Sequence, residues 1–164
     1  MITIDRRLAR RLRAAFRRHV LGIAHKGSIP PLVLHAEARQ LRAQYRYAEL
    51  AVAYVEPGGP RQLDSIPIPL EALADVEGRD DSPVEIESLE TDRTVVRWRD
   101  RGIPRSREYQ VAPFGRIAVF PATPPDWSTL PAGLLDALAE AAGLCTDDTV
   151  RYALNCIQLR GTQG

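Results

Sequence analysis

The residue type that recurs at a spacing able to do chemistry is arginine. Arg6, Arg10, Arg13 and Arg17 stand four, three and four positions apart, and Arg7, Arg11, Arg18 and Lys26 crowd the same stretch against the single acid Asp5. Guanidinium groups present a planar fork of N–H donors that fits phosphate and carboxylate oxygens, so the pattern suits a polyanion. Other chemistries lack residues. His19, His25 and His35 share no i, i+4 spacing and no cysteine pair lies near them, which excludes the usual zinc patterns. Asp80-Asp81 and Asp147-Asp148 sit among turn-forming residues and are expected to be solvated rather than to hold a divalent cation. None of the serines occupies a Gly-x-Ser-x-Gly elbow, and no Gly-x-x-x-x-Gly-Lys-Ser/Thr phosphate loop exists. The expectation is a protein without catalytic residues, metal or cofactor.

The basic segment needs an element to present it. Ile2-Thr3-Ile4 alternates as a short strand, and Asp5 is a plausible N-cap for a helix that begins at Arg6. At about 100° per residue, Leu8, Leu12, Ala15 and Phe16 form one stripe, Arg6, Arg10, Arg13 and Arg17 lie across from it, and Arg7, Arg11 and Arg18 widen the charged face. Gly22 is expected to end the helix, with Gly27–Pro31 as a loop. Leu32–Ala36, Leu41–Tyr47 and Leu50–Val55 read as strands, Glu56–Pro60 as a turn, and Ile66-Pro67-Ile68 as a return to the sheet. A short helix follows Pro69 on Leu70, Leu73 and Val76, with Gly78 beyond it. Val84–Glu87, Thr94–Trp98 and Arg105–Val111 then give strands separated by turns at Thr91-Asp92 and Arg101-Gly102.

The expected class is therefore α+β, in the order β-α-β-β-β-α-β-β-β, with helices on one side of the sheet. Four prolines between Ala112 and Trp127 mark a linker, which puts one domain over residues 1–122. A second unit over 123–164 starts again with a helix on Leu134, Leu135, Leu138 and Ala142, stopped by Gly143, and a strand over Val150–Arg160. Trp98, Tyr45, Tyr47 and Tyr54 follow strand periodicity, so they are expected in the core or on a sheet face before any stacking on bases.

Composition narrows the partners. Of 164 residues, 45% are hydrophobic and 26% charged, which suits a soluble globular chain. The net charge is +1, yet the first 27 residues carry +7 and the other 137 carry −6. Such asymmetry points to one polyanion-facing surface, with nucleic acid the leading candidate; the plain alternative is a solvated charged face. An Arg-rich, acid-poor start could also be a mitochondrial-type leader, but this helix is integral to the domain. No run of about 18 apolar residues is present, so no membrane partner is expected and the protein is placed in the cytoplasm. Cys145 and Cys156 are expected to be buried free thiols.

The element order and several strings resemble the bacterial DNA polymerase III β subunit, the DNA sliding clamp, over nearly the whole chain. Thr149-Val150-Arg151-Tyr152-Ala153-Leu154-Asn155 is similar to that family's Arg-Tyr-x-Leu-Asn strand at the start of its second domain. Phe120-Pro121 resembles the Phe-Pro closing its first domain, Ile29-Pro30 a Leu-Pro after its basic helix, and Ile68-Pro69 with Leu73 the approach to its second helix.

This resemblance implies clamp domain one over 1–122 and an incomplete domain two over 123–164. It implies a ring whose helices line a hole for duplex DNA, held without sequence readout. The DNA-facing residues would be Arg6, Arg10, Arg13, Arg17 and Lys26. Arg151 and Leu154 would form part of a pocket for peptides of the replicative polymerase and clamp loader, with Ala153 replacing an aromatic residue found in some members. The rest of that pocket belongs to a third domain, and the homodimer that closes the ring is expected only of a longer protein. The competing expectation is a protein-interaction module that keeps the clamp fold and forms no ring.

Overall fold

The computed structural model describes residues 1–20, 29–58, 63–122, 125–126, 129, 131–144 and 157–158, with backbone alone for 18–20. Gly22, His25, the Gly27–Ser28 part of the expected loop, Cys145, Cys156 and Asp147-Asp148 lie outside the described residues. The chain divides into two compact units, Met1–Ala122 and Thr123–Gly164.

In the first unit β1 (Ile2–Asp5) leads into α1 (Arg6–Val20). Four strands follow, β2 (Leu32–Glu37), β3 (Gln40–Tyr47), β4 (Leu50–Pro57) and β5 (Asp64–Ile68). Then come α2 (Leu70–Val76) and the strands β6 (Pro83–Glu90), β7 (Arg93–Asp100) and β8 (Ile103–Gln110). The α+β class is as expected, but the helices are separated by four strands rather than three, because Asp64–Ile68 pairs as a full strand with β2 from Leu32↔Ile68 to Ala36↔Asp64.

The strands form two four-stranded antiparallel sheets, in the orders β1-β6-β7-β8 and β4-β3-β2-β5. The turn from β7 to β8 is closed by Arg101 and Gly102, with φ of 51° and 83°. Positive φ at both central residues is the geometry whose twist matches that of paired strands, and glycine holds the second position without strain.

Period-two alternation sends one face of each sheet inward. Ile2, Ile4, Val84, Ile86, Val96 and Tyr109 of the first sheet meet Leu34, Ala36, Leu41, Ala43, Tyr45, Ile66 and Ile68 of the second in a single buried cluster. Leu8, Ala9, Leu12 and Phe16 of α1 and Ala72, Leu73 and Val76 of α2 complete it. Tyr47, Tyr54 and Trp98 pack on its margin, in the core and sheet-face role that their spacing suggests.

Pro67 sits on β5, an edge strand, where a missing N–H costs no ladder bond. Its carbonyl accepts the Thr94 hydroxyl from β7 at 2.8 Å, across the seam between the sheets. Thr94 is fully buried, so this bond satisfies a group that would otherwise be orphaned.

In the second unit α3 covers Leu134–Leu144. Gly143 lies inside this helix rather than stopping it, and the helix opens after a turn in which Gly133 has φ of 83°. The strand expected over Val150–Arg160 falls outside the described residues, except for Ile157 and Gln158, which have no regular structure.

Candidate nucleic-acid interface

Helix α1 begins where Asp5 Oδ1 accepts the Leu8 N–H at 2.5 Å, the capping bond foreseen from the sequence. Burial of Leu8, Ala9, Leu12 and Phe16 fixes which face looks inward. The opposite face carries Arg7, Arg10, Ala14 and Arg17, with Arg11 beside them, all exposed. Arg6 is mostly buried and Arg13 half-buried, because they lie on the flank turned toward α2. Of the four expected arginines, Arg10 and Arg17 lie on the exposed face and Arg6 and Arg13 on the flank. Their stripe is rotated away from the point opposite the apolar centre, and Arg7 and Arg11 are nearer the crown than Arg6 and Arg13.

Arg6 is a structural strut. Its Nε donates to the Val76 carbonyl, Nη2 to that of Glu77 and Nη1 to that of Arg99, each at 3.1 Å. Carboxylates of Asp80 and Asp100 stand 3.7 and 3.6 Å away. Only 13% of the side chain is exposed. Three of its N–H groups are thus engaged by the end of α2 and by β7. Gly78 makes that arrangement possible: an added Cβ there would stand 2.7 Å from Arg6 Nε, and the Gly78 N–H donates to the Arg6 carbonyl at 3.0 Å. Gly78 is therefore a close-approach residue, while the helix itself ends at Glu77, whose N–H bonds the Leu73 carbonyl.

Arg13 pairs with Glu77, the residue that follows α2. Arg7 Nε lies 3.2 Å from Asp81, and Arg11 Nη2 lies 2.9 Å from Glu56. The hydrogen bond to Glu56 is the main reason the Arg11 guanidinium holds its proton more firmly than usual. The Arg7 and Arg11 pairs are exposed, and such pairs exchange readily for other anions because each contributes little. Arg10 and Arg17 have no carboxylate or carbonyl partner among the described residues. Lys26, Arg151 and Leu154 lie outside the described residues.

The second helix of the layer has the opposite sign. Its charged residues are Glu71 and Asp75, with no basic residue. Asp75 is held by Arg107 at 2.6 Å and by the Tyr109 hydroxyl at 2.6 Å, and Arg107 stands 5.1 Å from the centre of the Tyr109 ring. Burial, aided by Asp75, pushes the Tyr109 phenol well above its ordinary range.

Asp80 and Asp81 serve the start of α1. The Asp80 carboxylate accepts the Ser82 N–H at 3.0 Å, its carbonyl accepts the Arg7 N–H at 3.2 Å, and the Ser82 bonds hold its carboxyl below the usual range. His35 Nδ1 stands 2.8 Å from Ser65 Oγ on the outer face of the second sheet, and burial lowers its affinity for a second proton. Among the described residues no three metal-binding side chains come together, and no helix is long and apolar enough to cross a membrane.

Arg7 and Arg11 were legible in principle: the point opposite the mean direction of Leu8, Ala9, Leu12 and Phe16 falls near Ala14, between Arg7 and Arg10. No sequence signal identifies Arg6 as internal, because its acceptors are main-chain carbonyls about 70 to 93 residues away.

Two four-stranded antiparallel sheets closed over a pair of helices, one of them crowned with arginine, define an α+β domain of the DNA-clamp fold. The structure is similar to the DNA polymerase III subunit beta from Pseudomonas aeruginosa, with a TM-score of 0.66 and 18% sequence identity over 94% of this chain and 42% of that chain. At that identity the likeness shows the fold, and the chain spans less than half the length of its structural neighbour. No protein-family model and no curated protein sequence matches the chain.

Proposed function

We propose that the chain is part of a sliding-clamp-type processivity factor that holds duplex DNA through phosphate contacts, without catalysis and without base readout. The observation that carries this reading is the row of exposed arginines, Arg7, Arg10, Arg11 and Arg17, on a helix whose other side is locked into a clamp-fold core. Diffuse guanidinium contacts supply sequence-independent attraction that falls with salt, which is what sliding requires. Arg10 and Arg17 are the primary contacts. Arg13 joins them by releasing Glu77, and Lys26 extends the row by residue match with the family. Arg6 supports the row from within.

On the same reading residues 1–122 are clamp domain one and 123–164 open domain two. Arg151 and Leu154 contribute to a pocket for peptides of the replicative polymerase and clamp loader, completed by a further domain. The ring is then a homodimer of a longer protein, acting in the cytoplasm.

The test is duplex binding by fluorescence anisotropy over a salt series, for the protein and for Arg10→Glu with Arg17→Glu. The expected result is weaker binding and a log-log salt slope shallower by about 0.9 for each phosphate that the variant no longer neutralises. An unchanged slope in the double variant refutes the reading.

A second reading, a clamp-fold interaction module that forms no ring, draws on α2 and α3, whose charged residues are all acidic. Helices that line a DNA channel gain from cations, and these two have none. Topological retention separates the readings: a clamp stays on closed circular DNA and leaves when the circle is cut, whereas a surface binder responds to neither.

A further inference from the structure

The outer face of the second sheet carries a hydroxyl placed against a base. His35 of β2 stands directly opposite Ser65 of β5 in the antiparallel register, with Arg42 of β3 opposite it on the other side. Residues paired in this way bring their β-carbons to about 4.5–5.5 Å on one face, close enough for a serine and an imidazole to meet. Ser65 Oγ lies 2.8 Å from His35 Nδ1. The register cannot slip to part them, since a shift of one residue would turn the buried Leu34, Ala36 and Ile66 outward. β5 is an edge strand and Ser65 is exposed, so a reagent reaches its hydroxyl from solvent. Ser82, Ser88 and Thr94, by contrast, face weaker bases: Ser82 bonds the Asp80 carboxylate, which is held below its usual range, Ser88 donates to the Glu90 carbonyl and Thr94 to that of Pro67.

The base is held in the form that takes up a proton. Burial of the imidazole disfavours its second proton and the charge of Arg42 acts in the same sense, while Gln44 of β3 and the Glu37 carboxylate oppose them without reversing the shift. His35 is therefore mainly neutral at pH 7. Gln44 bonds the ring in the sense that favours a ring proton, so it acts as an acceptor. An acceptor there holds the proton of the neutral ring and leaves Nδ1 to accept from Ser65. Asp64 Oδ1 accepts the Ser65 N–H at 2.8 Å, which fixes the backbone that carries the hydroxyl. The same bond withdraws that main-chain donor from a developing oxyanion, so the site suits a single acylation rather than turnover.

We propose that Ser65 is an acyl-acceptor site, modified by activated acyl donors whose leaving group is a stabilised anion, with His35 as the general base. Ser65 Oγ attacks the acyl carbon while its proton passes to His35 Nδ1. The Oγ–C bond forms, the bond from that carbon to the leaving group breaks, and the leaving group departs with the bonding electron pair. The imidazolium then returns its proton to solvent, and the ester stays on Ser65. The site is separate from the arginine row and does not depend on DNA binding.

The experiment is acetylation of the full chain by p-nitrophenyl acetate, followed over time by tryptic digestion and mass spectrometry. Peptide 62–79 contains Ser65 and no other serine, threonine, tyrosine or lysine, and peptide 80–93, with Ser82, Ser88 and Thr91, is the internal reference. A positioned base contributes roughly 10²–10⁴-fold, and the lower figure applies without an oxyanion site, so peptide 62–79 should be labelled about 100-fold faster than the reference. Its rate should be half-maximal below pH 6.5 and level above that, because the imidazole loses its proton earlier than a free one. His35→Gln should slow labelling of 62–79 by about 100-fold and leave 80–93 unchanged, and Ser65→Ala should abolish label on 62–79. The pH profile needs no variant, so it decides the matter if His35→Gln does not fold. Equal rates for the two peptides, a rate for 62–79 that keeps rising with hydroxide through pH 8, or a folded His35→Gln protein labelled as fast as the parent each overturns the proposal.

Discussion

Replacing Arg6 by Ala separates the arginines that build the domain from those offered to a ligand. Three of its donors meet carbonyls of Val76, Glu77 and Arg99, each at 3.1 Å, from a side chain that is 13% exposed. Hydrogen bonds to a charged group contribute roughly 1.5–3 kcal/mol each, and three from one guanidinium are not additive, so Arg6→Ala is expected to cost about 3 kcal/mol. Arg6→Lys should lose about half of that, since an ammonium cannot span carbonyls on two elements with a planar fork. Arg10→Ala, an exposed change, should stay within about 0.5 kcal/mol.

The assay is urea unfolding followed by Trp98 fluorescence in a Trp127→Phe background, so that the signal comes from the first unit. With a slope of about 1.5 kcal/mol/M, the midpoint for Arg6→Ala should fall by about 2 M. Its DNA salt slope, extrapolated to folded protein, should not change. An Arg6→Ala variant as stable as Arg10→Ala would show that these bonds are not the strut described above, and a shallower salt slope would return Arg6 to the phosphate-facing set.

Other consequences follow from particular contacts. Gly78→Ala forces a Cβ to within 2.7 Å of an Arg6 side chain already tied at three points, and a loss of about 1–3 kcal/mol in the same urea assay is expected. Glu56→Gln and Asp81→Asn each free an exposed arginine, so duplex affinity should rise severalfold at low salt while stability changes by less than about 0.5 kcal/mol. Thr94→Val removes the hydroxyl that satisfies the Pro67 carbonyl and should cost about 1–3 kcal/mol by thermal or urea unfolding. His35 binds its second proton less readily in the fold, so the unfolded chain is the more protonated form as pH drops below about 6.5. Stability should therefore decline from neutral pH toward the folded-state value of this group, and His35→Gln should flatten that limb of the pH profile.

The sequence was most readable where one local rule governs a segment. Leu8, Leu12 and Phe16 repeat at helical spacing, and the buried face of α1 follows them. Arg101-Gly102 has the left-handed requirement of a two-residue hairpin, and β7 and β8 pair around it. Long-range needs were hidden. Gly78 looked like a helix stop, because a glycine after a helical run usually is one, but its purpose is to admit a side chain that enters from α1. The strand Asp64–Ile68 was visible only in its second half, since Asp64 and Ser65 do not alternate as buried residues do, and its pairing with β2 is fixed by distant partners. The surroundings of the individual arginines were hidden for the same reason: which flank of a basic helix is occupied depends on what packs beside it, and α2 lies more than 50 residues downstream.

Pro67 has an effect on assembly that reaches past its own bond. It leaves β5 with an acceptor and no donor at the middle of its free side, and the acceptor is already taken by Thr94. A stray strand from a neighbouring nascent chain would find no foothold at that point, so the join between the sheets resists templated mispairing at the stage of folding when edges are most vulnerable.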